Sequence, residues 1–134
     1  MGIYYTSDID KITEQELQEL FLSVEWKSGN FPNELLKTIK GSHSVVTAWD
    51  NNKLIGLINA LSDGALTAYF HYMLINPAYQ GKGIGKEMMN MMLDRYSNYE
   101  TKVQIAYPNV VEFYGKLGFK KEDGTTPMFI SELI

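Results

Sequence analysis

A glycine-rich segment, Asn76 to Lys86, limits how this chain can fold because it lies between a strand-like and a helix-like stretch. Ala68 to Ile75, just before it, is aromatic and apolar enough for a buried strand. From Ile84 to Tyr96, apolar residues recur at helical spacing. The glycines let the backbone turn sharply and expose its N–H groups, and the start of a helix adds a partial positive charge. The segment therefore predicts a phosphate-binding loop.

The spacing of the glycines excludes two common phosphate-binding motifs. A P-loop has a second glycine five residues after the first, followed by Lys and then Ser or Thr, whereas Gly81 is followed at that distance by Lys86 and Glu87. The dinucleotide-binding fingerprint needs a third glycine three residues after the second, and the two candidate positions are Lys86 and Met88. The glycine loop therefore belongs to neither of these two classes of phosphate-binding motif.

Length and composition exclude several classes of protein. With 134 residues, of which 45% are hydrophobic, the chain is predicted to form one domain over residues 1–134. A net charge of −4 argues against nucleic acid or an anionic membrane as the main partner. Because the chain has no cysteine, it offers neither disulfides nor a cysteine nucleophile. No apolar run is long enough to span a membrane and no signal peptide is recognisable, so we expect a cytoplasmic protein without a membrane partner.

The remaining residues predict short strands and amphipathic helices. Hairpin chemistry at Asp50 to Asn52 and a turn at Ser62 to Gly64 favour three antiparallel strands in series. The glycine loop and its helix form a crossover long enough for a fifth strand parallel to the fourth. The predicted order is a strand at 3–5, helices from 13 and from 32 to 41, strands at 43–49, 53–61 and 66–75, a helix from 84, a strand at 101–107, a helix at 109–117 and strands at 119–121 and 128–133.

Two motifs in this order resemble those of the GNAT superfamily of acetyl-CoA-dependent N-acetyltransferases. Gln80-x-x-Gly83-x-Gly85 is similar to the family's pyrophosphate loop, and the segment from Asn109 through Tyr114 to Phe119 is similar to its later Asn…Tyr…Gly-Phe segment. The resemblance implies an α/β (α+β) fold with a mixed, mostly antiparallel sheet. Its parallel strands 4 and 5 would lie at the centre and splay apart, and about four helices would flank the sheet.

The resemblance also implies how acetyl-CoA would be bound, without a metal. The glycine loop would hold the pyrophosphate through main-chain amides, and its lysines would add charge. Backbone N–H groups of the fourth strand would hold the thioester carbonyl, and Asn109 would hold the coenzyme. The implied coenzyme-binding residues are Met73, Leu74, Ile75, Gln80, Gly81, Lys82, Gly83, Ile84, Gly85, Lys86, Asn109 and Tyr114.

Transfer of an acetyl group to an amine needs a proton donor for the departing thiolate and a base for the amine. The resemblance places Tyr114 near the sulfur, and the ordinary tyrosine pKa of ~10 keeps its hydroxyl protonated at neutral pH. Alternatively, Tyr114 is a residue that only packs in the core. His71 is a candidate base, sharing a strand face with Tyr69 and Met73 by simple alternation, opposite Phe70, Tyr72 and Leu74. Equally, His71 could be structural or merely exposed.

Glu25 and Trp26, which follow the first helix, are candidates for holding a cationic amine, and Glu25 is an alternative base. The same two residues are equally expected at a solvated helix end that has no role in binding. The resemblance implies an N-acetyltransferase acting on a primary amine by direct attack in a ternary complex, with a small molecule favoured over a protein as acceptor and a homodimer allowed. An acyl-CoA-binding regulator without turnover and a structural interaction domain remain alternatives.

Overall fold

The computed structural model describes residues 2–133, which form one sheet with helices on both faces. No helix in this part of the chain is long and apolar enough to cross a bilayer. The strands are β1 (Ile3–Thr6), β2 (Ser44–Asp50), β3 (Lys53–Ser62), β4 (Thr67–Ile75) and β5 (Thr101–Gln104), and the α-helices are α1 (Glu14–Ser23), α2 (Pro32–Gly41), α3 (Ile84–Arg95) and α4 (Val111–Gly115). Single 3₁₀ turns occur at Lys27–Asn30, Pro77–Tyr79 and Pro108–Val110.

The sheet has the strand order β1-β2-β3-β4-β5, with the first four strands antiparallel and β5 parallel to β4. β5 pairs only with Thr67 to Phe70, the first part of β4. Beyond Phe70, β4 continues to Ile75 with β3 on one side, and on the other side no strand of residues 2–133 pairs with it. We call the space beside residues 71–75 of β4 the β4–β5 gap. The predicted mixed sheet with splayed parallel strands is confirmed.

Local sequence signals account for the helix boundaries. α1 begins with a capping box, in which the Thr13 hydroxyl accepts from the Glu16 N–H while the Glu16 carboxylate accepts from the Thr13 N–H. α2 begins with Pro32, whose fixed φ suits a first helical turn. Leucines and other apolar residues of α1 and α2 pack on one face of the sheet, and the methionines of α3 pack on the other. The sheet is therefore buried on both sides.

The prediction of two C-terminal strands is wrong. Residues 119–121 and 128–133 form no ladder, and β5 ends at Gln104 rather than at residue 107. As a result, β5 is an edge strand of the described sheet and the parallel β4–β5 pair lies at one side instead of at the centre. Apolar, β-branched sequence gives a segment strand propensity, but a strand forms only where a neighbouring strand takes up its main-chain hydrogen bonds.

The predicted alternation of side chains along β4 is also wrong, because β4 contains a bulge. The pairing with β3 passes from Met73 opposite Ile58 to Phe70 opposite Ala60, so that two residues of β4 face Asn59 alone. The Asn59 side chain completes the bulge by accepting from the Tyr72 N–H at 2.7 Å. Met73 consequently packs in the same core cluster as Phe70, and Tyr72 in the cluster on the other face.

Candidate active site

The glycine loop ends in an open helix start. Gly81 and Gly83 both have φ +80, a conformation that strongly favours glycine, and a Cβ built on either would meet nothing within 4 Å. Gly83 is the N-cap residue of α3, and no side chain within the described part of the chain caps the helix there. The first N–H groups of α3 therefore face open space with the positive end of the helix dipole behind them, an arrangement that favours an anion.

Gly85 brings the start of α3 against the end of β4. A Cβ on this residue would lie 3.0 Å from both the Ile75 Cδ1 and the Met73 Cε and 3.5 Å from the Phe113 Cζ. A larger residue would push the helix start away from the strand. The anion site thus lies directly beside the β4–β5 gap.

The loop also carries three exposed polar side chains, Gln80, Lys82 and Lys86. The Lys82 ammonium lies 5.4 Å from the centre of the Tyr79 ring, and the Tyr79 hydroxyl donates to the Asp50 carboxylate at 2.5 Å. The Gln80 amide donates to the Ile75 carbonyl at 3.5 Å. Lys82 and Lys86 are both exposed, so each can add positive charge near the helix start without being desolvated.

The main chain of β4 exposes hydrogen-bonding groups to the gap. The Asn76 N–H donates to the Ile55 carbonyl of β3 at 2.8 Å. Because successive residues of a strand alternate in direction, the N–H of Leu74 points towards β3 as well, whereas those of Met73 and Ile75 point towards the gap. Of the three strand residues expected to hold a carbonyl, two have their N–H directed there.

Tyr114 lies at the edge of the gap, on the α3 face of the sheet. Its side chain is 8% exposed and packs edge-on against Phe113 and Phe119, with ring centres 5.1 and 5.8 Å away. The hydroxyl contacts the Met73 Sδ at 3.3 Å, which is a weak acceptor. Burial raises the pKa of Tyr114 to about 12, so the hydroxyl stays protonated at neutral pH.

Gln104, the last residue of β5, carries a buried acceptor without a partner. Its Nε2 donates to the Ile105 carbonyl at 3.2 Å, which fixes the orientation of the amide. Its Oε1 is buried and makes no hydrogen bond with the described residues. Gln104 pairs with Phe70 in the parallel ladder and therefore points to the same face as Tyr114. An unpartnered buried oxygen at the start of the gap is suited to accept an N–H from a ligand.

His71 lies on the opposite face, beside the bulge. Its ring stacks on Tyr72, with centres 4.1 Å apart, and lies 5.4 Å from the ring of Tyr69. Although His71 is exposed by surface area, the neighbouring protein keeps part of the imidazole from water, and this desolvation lowers the pKa of His71 below its ordinary value. Burial likewise raises the pKa of Tyr69.

Glu25 and Trp26 form the end of α1. The Trp26 N–H donates to the Phe21 carbonyl and the Glu25 N–H to the Leu22 carbonyl, which is the hydrogen-bond pattern of a Schellman motif. Glu25 has φ +60 at the position where such a motif normally has glycine, and its carboxylate is exposed. The Trp26 ring lies 6.1 Å from that of Tyr72, whose hydroxyl is 3.1 Å from the Ser28 Oγ.

The structure therefore divides the predicted residues between the two faces of the sheet. One face, that of α3, carries the glycine loop, Met73, Ile75 and Tyr114. The other face carries the stacked rings of Tyr69, His71, Tyr72 and Trp26. Asn109 is exposed in the turn before α4. A depression of about 430 Å³ lies elsewhere, between α1 and the β2–β3 turn, and contains none of the predicted site residues.

Sequence reasoning missed three residues of the site. Tyr72 and Gln104 carry no sequence signal, because the position of Tyr72 depends on the bulge and that of Gln104 on where β5 ends. Asn59 does carry one, since it is a polar residue inside the apolar run of β3 and is fully buried. Buried polar side chains are normally hydrogen-bonded, and a lone amide in a strand indicates an irregular ladder.

Comparison with known proteins identifies the class. The family model described as acetyltransferase (GNAT) domain matches residues 9–128, so the chain belongs to the GNAT acetyltransferase family. Among individual relatives, the uncharacterised N-acetyltransferase ycf52 of the alga Pyropia yezoensis is 34% identical over 133 residues, which cover 93% of this chain and 75% of the relative.

Solved structures share the fold. A Staphylococcus aureus protein of unknown function superposes with a TM-score of 0.86 at 22% identity, covering 97% of this chain and 99% of its own. A GNAT-family acetyltransferase of Streptococcus pneumoniae gives a TM-score of 0.77 at 21% identity and covers 98% of each chain. At these identities the two structures bear on the fold alone.

Proposed function

We propose that this protein transfers the acetyl group of acetyl-CoA to a primary amine by direct attack in a ternary complex. The observation that carries the proposal is the uncapped start of α3 beside the β4–β5 gap, with the protonated hydroxyl of Tyr114 at the edge of the same gap. An anion site suits the pyrophosphate, outward-facing strand N–H groups can stabilise the developing oxyanion, and a hydrogen-bond donor can stabilise the departing sulfur.

The residues present fit acetyl-CoA. The N–H groups from Gly81 to Lys86 would hold the pyrophosphate, with Lys82 and Lys86 adding charge. Main-chain groups of Met73 and Ile75 would pair with the pantetheine arm and the thioester carbonyl. The unpartnered Gln104 Oε1 would accept an amide N–H of the same arm, which would remove the cost of leaving a buried acceptor unsatisfied. Asn109, in the turn before α4, would contact the coenzyme from the other side.

The bonds change in two stages. The lone pair of the amine nitrogen attacks the thioester carbon, and the carbonyl oxygen takes the negative charge, which the outward N–H groups of β4 stabilise. His71 accepts the proton of the amine nitrogen, directly or through a water molecule. When the carbonyl reforms, the carbon–sulfur bond breaks and its electron pair leaves on sulfur, which finally takes up a proton to give free coenzyme A.

The raised pKa of Tyr114 defines what its hydroxyl does at the sulfur. An ordinary thiol has a pKa of about 8.5, so full transfer of the proton from a tyrosine of pKa about 12 would be uphill by roughly 5 kcal/mol. We infer that Tyr114 donates a hydrogen bond that stabilises the developing thiolate, and that the proton on the product thiol comes from the proton released by the amine. The weakly held hydroxyl is free to turn to the sulfur because its present partner is a thioether.

The acceptor is proposed to be a small cationic amine. It would reach the gap from the face of Tyr69 and His71, opposite the coenzyme. The exposed carboxylate of Glu25 and the ring of Trp26 would attract an ammonium group. Glu25 has φ +60, a conformation that costs a non-glycine residue about 1 kcal/mol and holds its carboxylate next to Trp26.

The test is an acetyl-transfer screen with small metabolites, drugs, polyamines and peptide N-termini, followed by release of free coenzyme A. We expect transfer to one of the small amines, with a KM that rises about tenfold in Glu25→Gln while the KM for acetyl-CoA is unchanged. Binding of acetyl-CoA without transfer to any class would instead indicate a regulator, and no binding at all would indicate a structural domain.

A further inference from the structure

The glycine loop is attached to the sheet through its first residues. The Asn76 N–H donates to the Ile55 carbonyl of β3 at 2.8 Å, and the Asn76 carbonyl accepts from the Tyr79 N–H at 2.8 Å. Tyr79 is the last residue before the glycines whose side chain packs on the core. Gly81 and Gly83, by contrast, have open space around them. The position of Tyr79 therefore sets where the glycine part of the loop begins.

The Tyr79 ring makes two polar contacts. Its hydroxyl donates to the Asp50 carboxylate at 2.5 Å, a length typical of a hydrogen bond to a charged acceptor. This hydrogen bond raises the pKa of Tyr79, so the phenol remains a donor at neutral pH. The Lys82 ammonium lies over the same ring, 5.4 Å from its centre, within the range of a cation–π interaction. The ring thus joins a carboxylate of the sheet to a lysine of the loop.

Asp50 provides a fixed point for this contact. It is the last residue of β2, and it pairs with Ile3 of β1 on one side and with Lys53 of β3 on the other. Residues held by strands on both sides move little. Tyr79 follows Asp50 by 29 positions, so their hydrogen bond ties the loop to a distant and rigid part of the chain.

We propose that the hydrogen bond between Tyr79 and Asp50 holds the glycine loop ready for the pyrophosphate of the coenzyme, which makes Tyr79 a positioning residue. The role rests on the proposed function, because it takes residues 81–86 as the pyrophosphate site. Glycines are conformationally free, and a ligand that must order them binds more weakly by the entropy lost. Tyr79 fixes the loop just before Gly81, and its ring holds Lys82 between the two glycines, so part of that entropy is lost before the coenzyme arrives.

The test compares variants that remove one partner of the hydrogen bond. Tyr79→Phe keeps the ring, its packing and its contact with Lys82, and loses only the hydroxyl. We expect the Kd for coenzyme A in calorimetry and the KM for acetyl-CoA to rise roughly tenfold, with kcat and the KM for the amine unchanged. Asp50→Ala should have the same effect, and Asp50→Asn, which keeps an acceptor, should recover most of the affinity. Tyr4→Phe, on the exposed face of β1, is the matched control and should change neither constant.

Two further measurements distinguish positioning from general damage to the fold. The double variant of Tyr79→Phe with Asp50→Ala should bind coenzyme A no more weakly than either single variant, because both lose the same bond. S-acetylpantetheine, an acetyl donor that ends before the pyrophosphate, should serve Tyr79→Phe and the unmodified protein equally well. This donor has the pantetheine arm but no phosphate for the loop to hold.

Three results would overturn the positioning role. The first is an unchanged Kd for coenzyme A in Tyr79→Phe. The second is a pair of losses that add in the double variant, which would show that the two side chains act separately. The third is an equal loss with S-acetylpantetheine, which would show that the variant disturbs more than the loop. Failure of the proposed function is seen elsewhere, since the unmodified protein would then bind no coenzyme A, and the positioning role would fall with it.

Discussion

Replacing Tyr114 with Phe separates a catalytic hydroxyl from a packing residue. The ring, its edge-on contacts and most of its burial remain in Tyr114→Phe, and only the hydroxyl is lost. We expect kcat to fall while the KM values for acetyl-CoA and amine stay close to those of the unmodified protein, because the hydroxyl interacts with sulfur mainly when the sulfur becomes negative.

The magnitude of both effects follows from the contacts of the hydroxyl. A hydrogen bond to a charged group contributes about 1.5–3 kcal/mol, so kcat should fall by roughly 10- to 100-fold. Its partner in the free protein is the Met73 thioether at 3.3 Å, a weak acceptor. Unfolding should therefore become easier by less than about 1 kcal/mol, which lowers the melting temperature by at most ~4 °C.

Steady-state kinetics and thermal melting of the same preparation show whether the Tyr114 hydroxyl is catalytic or only contributes to packing. Tyr4→Phe is the matched control, since Tyr4 lies on β1 and is 64% exposed; it should change neither quantity. An unchanged kcat in Tyr114→Phe together with a lower melting temperature would refute the reasoning. Tyr114 would then be a core residue, and the thiolate would be stabilised by another group or by water.

The remaining predictions concern the loop, the base and the bulge. Gly83→Asp should abolish acetyl-CoA binding in calorimetry because its carboxylate repels pyrophosphate; Gly83→Ala, which carries the strain of a positive φ without the charge, should retain measurable binding. His71→Ala should lower kcat/KM by ~10²–10⁴. The acidic limb of the unmodified protein should lie below pH ~6.5, since desolvation lowers the pKa of His71 and protonation at lower pH removes the base; His43→Ala should leave the limb in place. Asn59→Ala leaves the Tyr72 N–H unpaired in the sheet and should destabilise the protein by about 2–4 kcal/mol in denaturant unfolding; a loss below ~0.5 kcal/mol would show that the bulge does not depend on Asn59.

Sequence patterns predicted the first part of the fold closely because their signals are local. The helix over Glu14–Ser23 follows from its capping box and apolar stripe, and the helix over Pro32–Gly41 from a proline at its start. The glycine loop was predictable for the same reason, since a backbone with φ near +80 can be read from the glycines it needs. The roles of Tyr114 and His71 were implied by the resemblance and stay predictions until the variants are measured.

Pairing between distant segments could not be predicted in the same way. Residues 128–133 have strand propensity but no strand, because a ladder depends on where another edge lies. The reversal of faces along β4 depends on Asn59, which lies on a different strand. Both errors have the same cause: whether a segment forms a strand, and which face its side chains take, depends on hydrogen-bonding partners that lie far away in the sequence.

The sequence by itself determined the order of helices and strands as far as β5, the glycine loop and the family, since each rests on a short stretch of residues with its own conformational preference. Only the tertiary structure decided that His71 and Tyr72 share a face, that the Gln104 Oε1 has no hydrogen-bond partner among residues 2–133, and that β5 is an edge strand of the described sheet. These three features depend on the register of the strands and on which main-chain groups are hydrogen-bonded. Local sequence allows several positions for such a side chain, and the pairing of the strands selects one of them.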